Sequence, residues 1–272
     1  MVVAAETVAA QGTQGDIVLA LVADEEHASS GTEAVLERLS GRLPDACLVG
    51  EPTWLDFAAA HRGYAVTEVE FTGVPAHSAQ PELGVNAVAH VGRLLAAVAA
   101  RGAELASGPG HPIAGCGSMM ATVVSGGSSP FLIPATASAV IERRTVPGEP
   151  VDSGLAEVQS ILDEMKREDP SVQATASATL CRDAWQFNER AEAGVALAGA
   201  LAGALDATAG RAPAQLAFPY WMESALWEAV GVPTVVCGPA GGGLHAAEEW
   251  VELAQVRTYT HSLIDALHTF CG

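Results

Sequence analysis

The first clear pattern in the chain is a run of seven apolar residues, 17–23, with no polar residue among them. Such a run is typical of a strand that is buried on both faces of a parallel sheet. Three carboxylates, Asp24, Glu25 and Glu26, follow it directly. Ligands of open α/β sheets bind at the carboxyl ends of strands, which is where these acids lie. Adjacent acids also repel one another, and a divalent cation would relieve that repulsion. The pattern therefore indicates a divalent-cation site in which a spare carboxylate acts as general base. A solvated acidic turn is the alternative interpretation.

Two further apolar runs predict short strands that also end in functional side chains. Residues 45–50 form one of them, and it leads to an acid, Glu51, followed by Pro52. The other, 233–237, leads through a glycine loop to His245. This loop lacks the Gly-Lys-Ser/Thr ending of a phosphate-binding loop, so we expect it to bring His245 close to another group. Glu26 and Glu51 follow two different strands of the predicted sheet and should meet at one edge of it. Together they indicate a functional site more strongly than either acid alone.

The middle of the chain has a different pattern. Residues 64–71 alternate between apolar and polar positions, as a strand with one buried face does. The elements predicted after it are a helix over 86–100, strands over 121–124 and 135–144, a helix over 151–167 and a strand over 171–180. This β-α-β-β-α-β order is the ferredoxin-like arrangement, and its open sheet edge favours pairing with a second copy.

The regions on either side return to the α/β pattern, with helices predicted over 1–11, 32–39, 191–205, 224–229 and 252–270. The predicted fold class is therefore α/β, a catalytic domain with an inserted ferredoxin-like domain. We expect residues 1–62 to form the first part of the catalytic domain, 63–180 the inserted domain, and 181–272 the second part.

Composition narrows the classes of function. Hydrophobic residues make up 49% of the 272 residues and charged residues 17%, which favours a well-buried core over disorder. The net charge of −19 disfavours nucleic acids and anionic membrane surfaces as partners. The five cysteines are odd in number and widely spaced, no apolar run approaches the length of a membrane span, and the first residues show no signal-peptide pattern. We therefore expect a cytoplasmic protein with free thiols.

Seven short motifs occur in a characteristic order along the chain. They are Asp24-Glu-Glu, Val49-Gly-Glu-Pro-Thr, His61-Arg-Gly, Ala76-His-Ser, Gly84-Val-Asn-Ala, Arg144-Thr-Val-Pro-Gly-Glu, and Gly238-Pro leading through His245 to Glu249. Each motif is weak by itself, but the series covers the whole chain and resembles the M20 metallopeptidase and deacylase family. That family includes acetylornithine deacetylase, succinyl-diaminopimelate desuccinylase and aminoacylase.

The resemblance implies a site with two zinc ions, for which cobalt or manganese can substitute. Glu25 is similar to the general base that takes a proton from metal-bound water. Glu26 and His245 would ligate one zinc ion, and Glu51 the other, so we expect these side chains to converge. Carboxylate and imidazole are ligands that suit Zn²⁺.

The resemblance also implies roles for residues of the inserted domain. His77 is similar to a loop histidine that reaches the site of the neighbouring subunit and stabilises an oxyanion. Asn86 and Arg144 resemble residues that hold the carboxylate of the substrate, for which an arginine offers a bidentate grip. The expected partners are a small N-acyl amino acid or short peptide and a second copy of the chain, bound through the inserted domain.

Two departures from the family pattern qualify these expectations. Family members carry an upstream His-x-Asp motif and an Asp-x-Lys-Gly motif that supply further zinc ligands, and neither occurs here. The helix that opens at Met1 has no capping residue before it and resembles the tail of a longer element. We therefore expect a fragment or an N-terminally truncated member that is catalytically weak or inactive. Glu223 stands in a turn where many relatives have aspartate.

The predicted function is zinc-dependent hydrolysis of an N-acyl or peptide amide next to a free carboxylate, most similar to acetylornithine deacetylase. One alternative is a non-catalytic truncated remnant that dimerises or binds an amino-acid-like ligand. The other is a misassigned gene start, in which case the two missing motifs lie upstream of Met1.

Overall fold

A computed structural model describes all 272 residues, which divide into two compact units. The first, which we call the discontinuous unit, consists of three stretches of chain, Met1–His61, Trp185–Phe218 and Met222–Gly272. The second, the inserted unit, comprises Arg62–Ala184 and the short stretch Pro219–Trp221. The chain therefore leaves the discontinuous unit, builds most of the inserted unit, and then returns to complete the first.

The structure contains seven α-helices and eleven strands, which we number in chain order. The helices are α1 (Val2–Gln11), α2 (Ser30–Arg38), α3 (Ala87–Ser107), α4 (Ser153–Glu168), α5 (Glu192–Ala209), α6 (Ser224–Ala229) and α7 (Leu253–Cys271). The strands are β1 (Cys47–Val49), β2 (Phe57–His61), β3 (Gly63–Thr72), β4 (Ser118–Gly126), β5 (Thr136–Thr145), β6 (Gln173–Arg182), β7 (Trp185–Gln186), β8 (Gln215–Phe218), β9 (Thr234–Val236), β10 (Gly241–Gly242) and β11 (Trp250–Val251). None of the helices has the length and apolarity required to span a bilayer.

The discontinuous unit is built on short strands and a pair of long helices. Strand β1 pairs in parallel with β9, while β2 pairs with β7 on one side and with β8 on the other. Helix α5 places Leu197, Leu201 and Leu205 four residues apart on one buried face, as an amphipathic helix does. These leucines belong to the same buried cluster as Leu263 of α7 and Val235 of β9, so the sheet and both helices share one core.

Residues 17–23, predicted to form a buried strand, belong to no sheet, and the prediction is wrong. No backbone hydrogen bond joins this segment to another part of the chain. Val18, Leu19 and Leu21 are exposed to 58%, 39% and 79%. The apolar pattern is that of a strand, but a strand forms only with a neighbour to bond to, and no strand of this chain runs beside the segment.

The inserted unit is a four-stranded antiparallel sheet in the order β4-β5-β3-β6, with helices α3 and α4. The β-α-β-β-α-β order predicted from the sequence is confirmed. Alternate residues of the strands point to the buried face, among them Val69 and Phe71 of β3 and Ile141 of β5. They form one cluster with Leu94 of α3 and Leu162 of α4, which shows that both helices cover the same face of the sheet.

One charged residue lies inside this unit. Arg143 follows the inward alternation of β5, and its side chain is only 1% exposed. Its Nε donates to Oε1 of Glu157 at 3.0 Å, and an Nη atom donates to Oε1 of Glu149 at 2.8 Å. Arg101 donates to the other oxygen of Glu157 at 2.7 Å. A buried guanidinium that is paired in this way holds β5 and α4 together.

Replacing Arg143 tests this structural role. Because Arg143→Met leaves the carboxylates of Glu149 and Glu157 without their buried partner, we expect the free energy of unfolding to fall by about 3 kcal/mol or more. The neighbouring Arg144 is a matched control, since it is partly exposed and its ion pair with Glu142 lies near the surface. Arg144→Met should cost about 1 kcal/mol or less. Urea denaturation followed by circular dichroism measures both, and equal losses would contradict the assignment.

Candidate active site

The parallel pair β1–β9 brings two loops together at its carboxyl end. The backbone N–H of Thr53, after β1, donates to the carbonyl of Gly238, after β9, at 3.3 Å. In return the backbone N–H of Gly238 donates to Oγ1 of Thr53 at 3.0 Å, and Thr53 is fully buried. A β-carbon at position 238 would lie 2.5 Å from the carbonyl oxygen of Glu51, so only glycine permits this approach. The contact fixes Glu51 and the start of the loop that carries His245.

His245 lies in the connection of the hairpin formed by β10 and β11. The hairpin is closed by a hydrogen bond from the backbone N–H of Ala246 to the carbonyl of Gly243, at 2.8 Å. A β-carbon on Gly243 would lie 2.0 Å from the carbonyl oxygen of Glu248, which explains the glycine there. The φ angle of His245 is 60°, in the left-handed region that non-glycine residues enter infrequently. The glycine loop thus forms a tight hairpin that presents an imidazole.

The acidic stretch forms a turn that Asp24 stabilises. Asp24 has a φ of 69°, and its carbonyl accepts a hydrogen bond from the backbone N–H of Ser29 at 2.7 Å. Its carboxylate accepts from Oγ and from the backbone N–H of Ser30, at 2.6 Å and 3.2 Å, and these bonds lower the pKa of Asp24. Asp24 therefore acts in the local structure at the start of α2, and the turn leaves Glu25 and Glu26 as the acids that can serve the site.

The structure brings Glu26 and His245 together. Oε2 of Glu26 lies 3.3 Å from Nε2 of His245, although the two side chains are 75% and 76% exposed. As a surface ion pair this contact would contribute little to stability. Two ligands of a tetrahedral zinc ion, each about 2.1 Å from the metal, lie about 3.4 Å apart. The separation observed between the two side chains therefore fits two adjacent positions of a zinc site.

Three further carboxyl groups interact near this pair. Burial raises the pKa of Glu51 to about 7, and the negative charges of Glu25, Glu223 and Glu26 contribute to the rise in that order of importance. Burial is also the main cause of the raised pKa of Glu25, followed by the charges of Glu26 and Glu223, while His245 acts in the opposite direction. Like charges crowded into a partly buried site repel one another, and a bound cation would relieve that repulsion.

Glu223 is the member of this group that sequence reasoning noted but did not assign to the site. It is 6% exposed, and its Oε1 atom is buried without a hydrogen-bond partner. The next residue, Ser224, is hydrogen-bonded through Oγ to Nε2 of His61 at 2.8 Å, and the His61 ring stacks on Trp185. These contacts hold the start of α6 in place. The sequence feature that could have assigned Glu223 to the site is its position directly after the apolar pair Trp221-Met222.

The donor set supports part of a metal site. Glu26 and His245 supply the chemistry and the spacing for two ligand positions. Across the whole chain, however, no group of three or more histidine, cysteine, aspartate or glutamate side chains is arranged to hold a metal ion. Glu51 therefore interacts with the other acids through its charge but does not complete a three-ligand cluster with the pair.

The remaining residues predicted for the site lie in the inserted unit. His77 is exposed, and its Nδ1 accepts a hydrogen bond from the backbone N–H of Ala79 at 3.1 Å. Oδ1 of Asn86 caps helix α3 by accepting from the backbone N–H of Ala89, also at 3.1 Å. Arg144 is half-buried, and besides its ion pair with Glu142 it lies over the ring of Tyr64.

Comparison with known sequences identifies relatives along nearly the entire chain. Residues 59–170 match the family model described as a peptidase dimerisation domain. The chain is 29% identical to an acetylornithine deacetylase from Myxococcus xanthus, over 97% of its own length and 67% of that protein. It is 28% identical to a succinyl-diaminopimelate desuccinylase from Dinoroseobacter shibae, over 89% of its own length and 63% of that protein.

Comparison with solved structures supports the same fold. The aminopeptidase PepT from Bacillus cereus superposes with a TM-score of 0.72 at 15% identity, and a tripeptidase from Staphylococcus aureus with a TM-score of 0.72 at 13% identity. Each match covers 92% of this chain and 63% of the other. The chain thus spans about two thirds of the length of its relatives, and the predicted fold class is confirmed. The sequence matches and the shared fold together support membership of the M20 peptidase family.

Proposed function

We propose that this chain carries catalytic residues of a metal-dependent amidohydrolase, which removes an N-acyl group from an amino acid with a free carboxylate. The observation that carries the proposal is the Glu26–His245 pair at the spacing of two metal ligands, next to a carboxyl group, Glu25, whose pKa is raised. The similarity to enzymes named as deacetylase and desuccinylase supports the same reaction class.

Each site residue has a distinct proposed role. Glu26 and His245 hold one cation, and Glu51, on the loop after β1, holds a second. Zinc is the proposed metal, with cobalt or manganese as substitutes, and when bound it supplies a Lewis acid that lowers the pKa of water. Glu25 takes the proton from the attacking water and returns it to the leaving amine. Burial and the neighbouring acids raise the pKa of Glu25, and a raised pKa makes a carboxylate a stronger base, which suits both steps.

The inserted unit supplies the proposed contacts to substrate. Because Oδ1 of Asn86 accepts the capping bond of α3, its amide nitrogen remains the donor for a substrate carboxylate. Arg144 offers a planar pair of donors to the same group. His77 is proposed to stabilise the oxyanion in the site of a second copy, and the match to a peptidase dimerisation domain supports a homodimer formed through this unit.

The direct test is an assay of the purified chain loaded with Zn²⁺. We expect release of acetate from N-acetyl-L-ornithine to exceed release of succinate from N-succinyl-diaminopimelate, and chelation followed by zinc addition should remove and restore the activity. Zinc binding without turnover of either substrate would support the alternative, a truncated chain that binds a ligand and does not hydrolyse it.

Substitution of Glu25 and of the adjacent Glu26 should have different effects, because the two residues have different proposed roles. Glu25→Gln keeps the size of the side chain but removes the base, so we expect kcat to fall by roughly 10²–10⁴-fold with zinc affinity unchanged. Glu26→Gln should instead weaken zinc binding, because an amide oxygen is a poorer ligand than a carboxylate. Calorimetric zinc titration measures binding independently of turnover. A Glu25→Gln variant with near-normal kcat would mean that another residue is the base.

The acidic cluster should reduce the stability of the metal-free chain above neutral pH. Since the pKa of Glu51 rises from 4.5 to about 7 on folding, the folded state retains a proton that the unfolded chain loses. The contribution of Glu51 to stability is therefore highest below pH 4.5, declines up to about pH 7 and stays low above it.

Glu51→Gln removes this penalty, so at pH 8 we expect the metal-free variant to be more stable than the unmodified chain by about 1–3 kcal/mol, with no gain at pH 4.5. Glu37→Gln, at an exposed position of α2, is the control and should change neither value. Thermal or urea unfolding in the presence of chelator gives the comparison. Loss of stability in Glu51→Gln at pH 8 would mean that the buried carboxylate stabilises the fold, contrary to this prediction.

A further inference from the structure

Arg144, to which the proposed function assigns the carboxylate of the substrate, lies beside an aromatic side chain of the inserted unit. Tyr64 of β3 and Arg144 of β5 are directly opposite each other in the antiparallel pairing of the two strands. Their neighbours Ala65 and Arg143 are buried on the face that the helices cover, so Tyr64 and Arg144 lie on the other face of the sheet. The guanidinium carbon of Arg144 lies over the Tyr64 ring, 5.2 Å from the ring centre.

The ring of Tyr64 is itself held in place by Trp221. The two ring centres are 6.0 Å apart and the ring planes meet at 86°, which is the edge-to-face arrangement that aromatic pairs favour. Trp221 is 8% exposed, and its Nε1 donates to the carbonyl of Asp183 at 3.1 Å. Arg182, which lies opposite Tyr64 on β6, is placed over the Trp221 ring at 5.9 Å. These contacts all lie within the inserted unit, and they connect the guanidinium of Arg144 through two rings to fixed backbone.

The contact with the ring leaves hydrogen-bond donors of Arg144 available. A cation that lies over a ring is attracted through its charge, and this attraction uses none of the N–H groups of a guanidinium. Nη2 of Arg144 lies 2.5 Å from Oε1 of Glu142, which is two residues earlier on the same face. The side chain of Arg144 makes no other hydrogen bond or ion pair. The ring and one carboxylate therefore hold the guanidinium from two sides, and its other N–H groups can bind a ligand.

We propose that Tyr64, held by Trp221, is a positioning residue for recognition of the substrate carboxylate. An arginine side chain has many rotamers, and ordering it when a ligand binds opposes binding. The ring of Tyr64 restricts Arg144 before the ligand arrives, so less conformational freedom is lost on binding. The inference rests on the role proposed for Arg144, and it adds the residues on which the geometry of that role depends.

Two ligands that differ only in the carboxylate test the proposal without any need for turnover. The probes are N-acetyl-L-ornithine and its α-carboxamide, titrated into the metal-free chain in the presence of chelator. Two-dimensional NMR of the backbone amides and of the arginine Nε–H groups gives both dissociation constants. We expect the unmodified chain to bind the carboxylate at least ~10-fold more tightly than the carboxamide, which corresponds to about 1.4 kcal/mol. Arg144→Met should remove this preference.

Two variants of Tyr64 separate the contribution of the ring from that of the fold. Tyr64→Leu removes the ring at a partly exposed position and keeps an apolar side chain, so the fold should be kept. We expect its preference for the carboxylate to fall to roughly 3-fold or less, because the guanidinium loses its cation–π contact. Tyr64→Phe keeps the ring and should show the preference of the unmodified chain. The ring should also shift the Nε–H proton of Arg144 upfield, and only Tyr64→Leu should remove that shift.

The outcomes distinguish failure of this inference from failure of the proposed function. No preference for the carboxylate in the unmodified chain, or an unchanged preference in Arg144→Met, would reject the role of Arg144 and the inference with it. A preference that is lost in Arg144→Met but kept in Tyr64→Leu would overturn the inference alone. Equal weakening of both ligands in Tyr64→Leu would also overturn it, because that result indicates a structural role. The same holds if Tyr64→Phe behaves as Tyr64→Leu does.

Discussion

The geometry of the site depends on one buried contact between two loops. Parallel pairing of β1 and β9 only aligns the ends of the two strands, whereas the reciprocal hydrogen bonds between Thr53 and Gly238 fix the loops that follow. Because Thr53 is fully buried, water cannot reach this contact, and the polar groups of the two loops have to bond to each other. One loop carries Glu51 and the other leads to His245. A disturbance at Thr53 would therefore reach both halves of the site at once.

The acids of the site differ in how their charge is compensated. Asp24 accepts hydrogen bonds from Ser30 and is stabilised in its charged form. Glu25 and Glu51 have no comparable donors, and burial together with the charges of Glu26 and Glu223 raises the pKa of both. An arrangement of this kind lowers the stability of the empty protein, and a cation that compensates the charges turns the same arrangement into affinity. The cluster is therefore better explained by ligand binding than by folding.

The sequence predicted those elements whose pattern is complete within a short stretch of chain, and it failed where the structure depends on distant parts of the chain. The order of the elements in the inserted unit was predicted correctly, because the alternation in β3 and the lengths of the helices and strands after it are readable from short stretches of sequence. Strand β2 was missed because Phe57 is followed by three alanines, which have little tendency to form strands outside their tertiary context. The error over residues 17–23 has the reverse cause, since the composition is that of a strand but pairing requires a partner. Likewise, the depth at which Glu223 lies depends on packing around α6, which no short motif encodes.

The interrupted course of the discontinuous unit bears on how the chain is made. Strand β1 ends at Val49 and its partner β9 begins at Thr234, so roughly 180 residues are synthesised between them. At ~5–20 residues per second, β1 waits about 10–40 s on the ribosome for the strand it pairs with, while the inserted unit can already fold. During that interval the first 61 residues, with the apolar run 17–23, have no completed core to join. We therefore expect the apolar run 17–23 to stay exposed during this part of synthesis, when chaperones that bind apolar segments can reach it.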